Sequence, residues 1–377
     1  MKEVFSYFIR LGALGFGGPL ALIASMQKDL VEKHRWISEE AFNRAFALIK
    51  AMPGPIAFQV ACHLGYRRAG FKGATAAALG LLLPSFVLMI LLAIFDQAFA
   101  ASHSWHIAML GMQAGALGLI AGSLKGLLWS NRKQPLFWIL FAASLFPVVI
   151  FPAWEPLIII TSGFLAVQLR KQRSVPSASF AIMPFLVGAQ DSVILQSSTW
   201  FRAWTDLFIS CFKAGAFVFG SGLAIVPILE NDFVTRLGWL THDQFMNALA
   251  FGQITPGPVT ITATFIGFKT LGLVGAITGT VGIFGSAFIH MTTWFPRMID
   301  HLSRKKWIDD FLTGAIAAVI AAIIVSLVRL AMAGDFSVLH YILLVAIAVM
   351  ALIGRIPAWT LVPAAGFVSL AADYLIQ

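Results

Sequence analysis

The chain has 377 residues, 59% hydrophobic and 11% charged, with a mean hydropathy of +0.85. Soluble domains carry roughly 45–50% apolar and about 25% charged residues, so this composition excludes a water-soluble globular fold. The net charge of +9 does not mark a nucleic-acid binder: the cations sit in short loops between apolar runs, as in Arg170-Lys171-Gln172-Arg173 and Arg304-Lys305-Lys306, the pattern that orients a membrane protein.

Several apolar runs of about 20 residues match the roughly 30 Å hydrocarbon core of a bilayer. They lack the alternation of barrel strands, so the fold class is an all-α polytopic membrane protein. In chain order the expected helices lie near 4–26, 39–66 (interrupted), 71–95, 106–129, 136–152 and 154–169, then near 205–229, 242–268 (interrupted), 272–295, 309–332, 337–353 and 357–375. The first stretch resembles a signal peptide, but Arg10 interrupts it and the whole segment recurs later, so it reads as retained structure. Ser38 and Thr241 are N-cap residues for the second segment of each set, and Gln244 completes a capping-box pattern with Thr241.

The two sets are copies. Shifted by 203 residues, positions 12–55 match 215–258 at 15 of 44 places, among them Phe16-Gly17, Asp29, Trp36 and Pro53-Gly54-Pro55. A repeat this long marks duplicated domains, here 1–173 and 205–377 with a Ser- and Pro-rich linker at 174–204. In the first copy Arg67, Arg68, Lys72, Arg132, Lys133 and the Arg170 cluster follow the second, fourth and sixth segments. In the second copy the strongest cluster, Arg297 with Arg304–Lys306, follows the third. Positive loops face the cytoplasm, so the halves are expected to be inverted repeats, as in many secondary transporters.

Pro53-Gly54-Pro55 and Pro256-Gly257-Pro258 cannot continue a helix. Re-entrant hairpins at these two places give about ten crossings plus two broken helices. Full spans instead need an extra crossing within Phe180–Gln196, for thirteen.

The same breaks are the candidate substrate site, together with Gly17-Gly18 and their counterparts Gly220-Ser221. Unwound backbone at membrane depth is tolerated where it lines a cavity, and half-helix N-termini attract anions. Close packing through small residues is the competing reading for any one glycine pair. The repeat-equivalent Arg10 and Lys213, and Lys50 beside the first Pro-Gly-Pro, are candidate anion-binding cations, with snorkelling to the headgroups as the alternative. Gln253 and Thr255 are nearby polar candidates, as are Gln59, Asn247, Thr260 and Thr262. Inward-facing carboxylates are scarce, since Asp96, Glu155 and Asp335 fall at helix ends. Cys62 and Cys211 lie in apolar segments and are expected to pack, and His290 has no ligand-spaced partner. Neither a Walker motif nor a nucleophile elbow or His-Glu-x-x-His is present, so no catalytic residue, cofactor or metal is expected.

Phe16-Gly17-Gly18-Pro19, Trp36, Pro53-Gly54-Pro55, Gly65-Tyr66-Arg67-Arg68-x-Gly70 and Leu83-Pro84-Ser85 together resemble the chromate ion transporter family. Phe219-Gly220-Ser221-Gly222, Gly238-Trp239 and Gln253-Ile254-Thr255-Pro256-Gly257-Pro258 are similar to that family's second domain. The resemblance implies a two-domain, multi-pass transporter of a bacterial inner membrane that exports chromate, with sulfate or another oxyanion as the alternative cargo. The expected partners are that oxyanion and the lipid bilayer, with a homodimer as a further assembly and no nucleic acid.

Overall fold

The computed structural model describes residues 1–50, 52–170, 199–302, 306–354 and 356–376. Most of the 174–204 linker, with its Phe180–Gln196 stretch, and the basic residues Lys171, Arg173, Arg304 and Lys305 lie outside the described residues. The described residues are helical and include no strand. Among the described residues, five helices are long and apolar enough to cross a membrane, and three shorter apolar helices accompany them.

The first half opens with α1 (Lys2–Leu14), which stops at Gly15. The chain turns through Gly17 and returns as α2 (Gly18–Met26), extended by a π-helical stretch, Gln27–Lys33. The segment expected as one helix over 4–26 is therefore a hairpin. Tyr7 Oη on the way in reaches Ser25 O at 3.5 Å and Asp29 Oδ2 at 3.4 Å on the way out. The glycine break allows the reversal, and this pairing across it holds the returning limb in place. α3 (Glu39–Ile49) follows, with the Ser38 hydroxyl accepting the Ala41 N–H at 3.3 Å as its N-cap.

After the first Pro-Gly-Pro comes α4 (Ile56–Phe99), which breaks at Ala69 and Gly70. Gly70 has φ of 59°, a left-handed value that glycine adopts without penalty. The two limbs of α4 fold against each other so closely that a side chain on Gly65 would collide with the Gly73 carbonyl. On the long limb Leu79, Leu83, Val87, Leu91 and Phe95 are exposed at four-residue spacing, an apolar stripe fit for lipid. α5 (His103–Asn131), α6 (Pro135–Ile150) and α7 (Glu155–Leu169) complete this half.

The second half repeats the order. α8 (Thr199–Ala216) leads to a break, and a continuous helical segment, 222–236, returns with α9 (Ile225–Glu230) at its centre. The segment expected over 205–229 is thus also a hairpin. Arg236 Nη2 on the returning limb donates to Ser210 Oγ at 3.0 Å. α10 (His242–Ile254) carries the expected capping box of Thr241 and Gln244. α11 (Thr262–Thr292) breaks at Leu271 and Gly272, and Thr264 meets Thr280 across its limbs at 2.7 Å. α12 (Phe295–Leu302), α13 (Lys306–Ala333), α14 (Val338–Ile353) and α15 (Ala358–Ile376) follow.

The long limbs of α4 and α11 run in opposite directions. Phe71, at the start of one, packs on Phe288 near the end of the other. Asp96, near the end of the first, takes Lys269 Nζ at 2.7 Å from the turn that precedes the second. Asn247 Nδ2 and Trp105 Nε1 also donate to this buried carboxylate, at 2.8 and 3.3 Å, so Asp96, at the end of its helix as expected, joins the halves. Glycines bring α5 onto α14 and α15: side chains at Gly111 and Gly118 would strike the Ala365 and Leu344 carbonyls, the small-residue packing common between membrane helices.

Candidate functional site

The four breaks meet. The Gly54 N–H, in the first Pro-Gly-Pro, donates to Val218 O at 2.7 Å, and the Gly257 N–H, in the second, donates to Gly15 O at 3.0 Å. Around them lies a cavity of about 730 Å³.

The first turns of four helical segments line it: Gly17 to Leu20, Pro55 to Ala57, Gly220 to Leu223, and Gly257 to Thr260. Each first turn presents backbone N–H groups without intrahelical acceptors and the positive end of a helix dipole. Four in one cavity give a strong preference for negative charge. Thr260 Oγ1 and Gln253 Nε2, on the same wall, are buried and have no hydrogen-bond partner among the described residues, so both are available to a bound oxygen.

Lys50 also faces the cavity, its ammonium 4.6 Å from the Phe46 ring centroid. Gly17, Gly18, Pro55, Gly220, Ser221, Gln253, Thr255, Gly257 and Pro258 line it with Lys50. Pro53, Gly54 and Pro256 form the turns behind the wall. Gln59 Nε2 donates to Pro53 O at 2.6 Å, and Ser85 Oγ to Pro256 O at 2.5 Å.

Arg10 and Lys213 are elsewhere. Arg10 is exposed on α1, away from the cavity lining. Lys213 Nζ sits 2.6 Å from Asp232 Oδ2, and Arg236 Nε lies 3.3 Å from Oδ1 of the same carboxylate. Asp232 is fully buried, so Lys213 serves as its counter-ion inside the α8 hairpin. Asp232 lies 19 positions from Lys213, and the return of the chain at the break brings them together.

The cavity also takes residues from α5, the α5–α6 turn, the end of α7 and α13 that the sequence pattern does not single out as site residues. Ser123, Ser130, Asn131, Gln134, Asp309 and Thr313 line it with Arg170. Arg170 Nη1 is 2.5 Å from Asp310 Oδ1 and its Nη2 donates to Gln134 Oε1 at 2.6 Å. Its place at the end of an apolar helix gives it the sequence signature of a topology charge. The fold gives it a second position, at the rim of the cavity. Of the other sequence candidates, His290 accepts from Trp294 Nε1 at 3.0 Å, and both cysteines are buried.

A multi-pass helical membrane protein with a cavity lined by broken helices and a lysine has the architecture of a membrane transporter. The family model for the chromate transporter matches the chain twice, over residues 2–167 and 205–370. The chain belongs to the chromate transporter family. It is 33% identical to a probable chromate transport protein of Synechococcus elongatus, over 86% of this chain and 82% of that protein. It is 32% identical to a chromate transport protein of Cupriavidus metallidurans with the same coverage. An uncharacterised transporter of Methanocaldococcus jannaschii is 28% identical, over 89% of this chain and 86% of that one. No solved structure matches the chain.

Proposed function

We propose that the chain exports chromate across a bacterial inner membrane by alternating access between two inverted halves. The observation that carries this reading is the convergence of four helix N-termini and Lys50 on one cavity lined by a single carboxylate, Asp309. Chromate is a tetrahedral dianion whose oxygens accept hydrogen bonds from every direction, and scattered N–H, hydroxyl and amide donors suit it. The names of the relatives point to the same cargo. Sulfate has the same shape and charge, so selectivity between the two rests on fine spacing of those donors.

A potential negative inside drives a dianion outward by roughly 4–5 kcal/mol per 100 mV, at about 2.3 kcal/mol per charge, so export needs no nucleotide. The reciprocal hydrogen bonds Gly54–Val218 and Gly257–Gly15 and the opposed limbs of α4 and α11 support inversion. In this reading each of the four broken segments enters and leaves on one face. The long limb of α4, with α5, α6 and α7, and the long limb of α11, with α13, α14 and α15, then make eight crossings among the described residues. The positive charges of Arg132, Lys133 and Arg170 support a cytoplasmic position for the end of the cavity that Arg170 lines.

The test is radiolabelled chromate accumulation in cells with and without the gene, repeated with sulfate as competitor. Lower accumulation with the gene supports export. Higher accumulation reverses the direction, and no change for either anion overturns the reading.

A further inference from the structure

A second polar cluster lies apart from the cavity lining. Glu155 opens α7 and is 2% exposed, and Glu230 ends α9 and is 4% exposed. The charges acting on Glu155 are Glu230 and Asp232 on the 222–236 segment, Lys213 on α8 and Arg329 on α13, and Arg236 joins them through Asp232. Asp232 already holds Lys213 and Arg236. Arg329 is the remaining cation for the two glutamates.

Their hydrogen bonding is unequal. Glu230 Oε2 accepts a short bond from Ser326 Oγ on α13. Glu155 Oε2 is buried and has no hydrogen-bond partner among the described residues. A buried ionised carboxylate needs full solvation by partners, and two that share one cation repel each other. A proton on the pair removes that repulsion and turns an orphaned acceptor into a neutral hydroxyl.

We propose that Glu155 and Glu230 form a proton-binding pair that links proton movement to oxyanion transport. The link rests on the transport reading above. Glu155 belongs to the first half and Glu230 to the second. Glu230 also lies two turns along the helical segment whose start, Gly222 and Leu223, lines the cavity. Movement of one half against the other changes the spacing of the carboxylates. The pair therefore holds H⁺ as a carboxylic acid in one state and releases it as carboxylate plus H⁺ in the other, with no change of oxidation state. Protons move inward as the dianion leaves, the sense in which the potential drives both.

The experiment uses the full chain in vesicles containing a pH-sensitive dye, with the potential clamped at zero and the medium alkaline enough to keep chromate a dianion. Chromate flux in the wild type is expected to carry a proton signal. Glu155→Gln and Glu230→Gln, which keep the side-chain shape, are expected to lower the proton-to-chromate ratio at least tenfold. An unchanged ratio in both variants overturns the proposal. Infrared difference spectra of the solubilised protein test the pair without any chromate. A titrating carboxylic-acid band, present in the wild type and lost in Glu155→Gln, supports it, and a wild type with no such band overturns it. Absence of wild-type chromate flux removes the transport reading, and the band alone then decides the pair. Should a variant not fold, the wild-type ratio and band still decide.

Discussion

Gly54 and Val218 lie 164 positions apart, yet the N–H of one donates to the carbonyl of the other at 2.7 Å. Adding 203 to 54 gives Gly257, and subtracting 203 from 218 gives Gly15. Those two residues make the equivalent bond at 3.0 Å. Each half thus inserts its Pro-Gly-Pro turn into the helix break of the other. The freed backbone groups that would be costly in hydrocarbon are satisfied between the halves, beside the cavity.

Alanine at either turn glycine should disrupt this exchange. Gly54 has φ of 125° and Gly257 φ of 96°, values that side chains rarely adopt. A Cβ on Gly54 would also press on Gln59 and Ala287, and one on Gly257 would press on Ser85. Strained backbone of this kind costs on the order of 1–3 kcal/mol. Gly54→Ala and Gly257→Ala should each lower the melting temperature of the solubilised protein and reduce chromate flux. Wild-type values in both measurements would refute the role given to the turns.

Lys50 should matter for substrate and Arg10 should not. Hydrogen bonds to charged groups contribute about 1.5–3 kcal/mol, and tenfold in affinity is about 1.4 kcal/mol. Lys50→Gln should therefore raise the KM for chromate in everted vesicles roughly tenfold or more, with Lys50→Arg closer to wild type. Arg10→Gln should shift it less than about twofold. The reverse ranking would move the binding site to α1.

Lys213→Gln should act on stability. It leaves the fully buried Asp232 with Arg236 alone, and breaking a buried pair costs on the order of 3 kcal/mol. Adding Asp232→Asn should restore much of the loss, because the orphaned charge is gone. A double mutant no more stable than Lys213→Gln alone would contradict the counter-ion role.

Single cysteines test the hairpins. Cys62 and Cys211 are buried, so the background should be silent to a membrane-impermeant thiol reagent. In the inverted arrangement, His34→Cys and Lys133→Cys should label only from the cytoplasmic side, and Ala101→Cys and Thr235→Cys only from outside. Labelling of residue 34 from outside would make the 2–33 segment a true crossing.

Much of this architecture is legible in the sequence because it is written in local chemistry. Hydrophobic length marks the helices, Pro and Gly mark the breaks, and Ser38 and Thr241 mark two helix starts. Those signals also carry the family resemblance and nine of the cavity-lining backbone and polar positions, along with Lys50.

Only the tertiary structure decides what each break does. A glycine pair permits a helix to continue or to reverse, and the choice rests on contacts such as Tyr7 with Asp29. The fate of a cation in or beside an apolar helix is likewise set by what the fold brings beside it. Lys213 meets Asp232, Lys50 meets the cavity, and Arg170 spans from the end of α7 to Asp310 on α13. Composition and periodicity determine that this chain is a helical membrane protein. Which charges face the substrate path depends on electrostatic partners far apart in sequence, and no local pattern encodes that pairing.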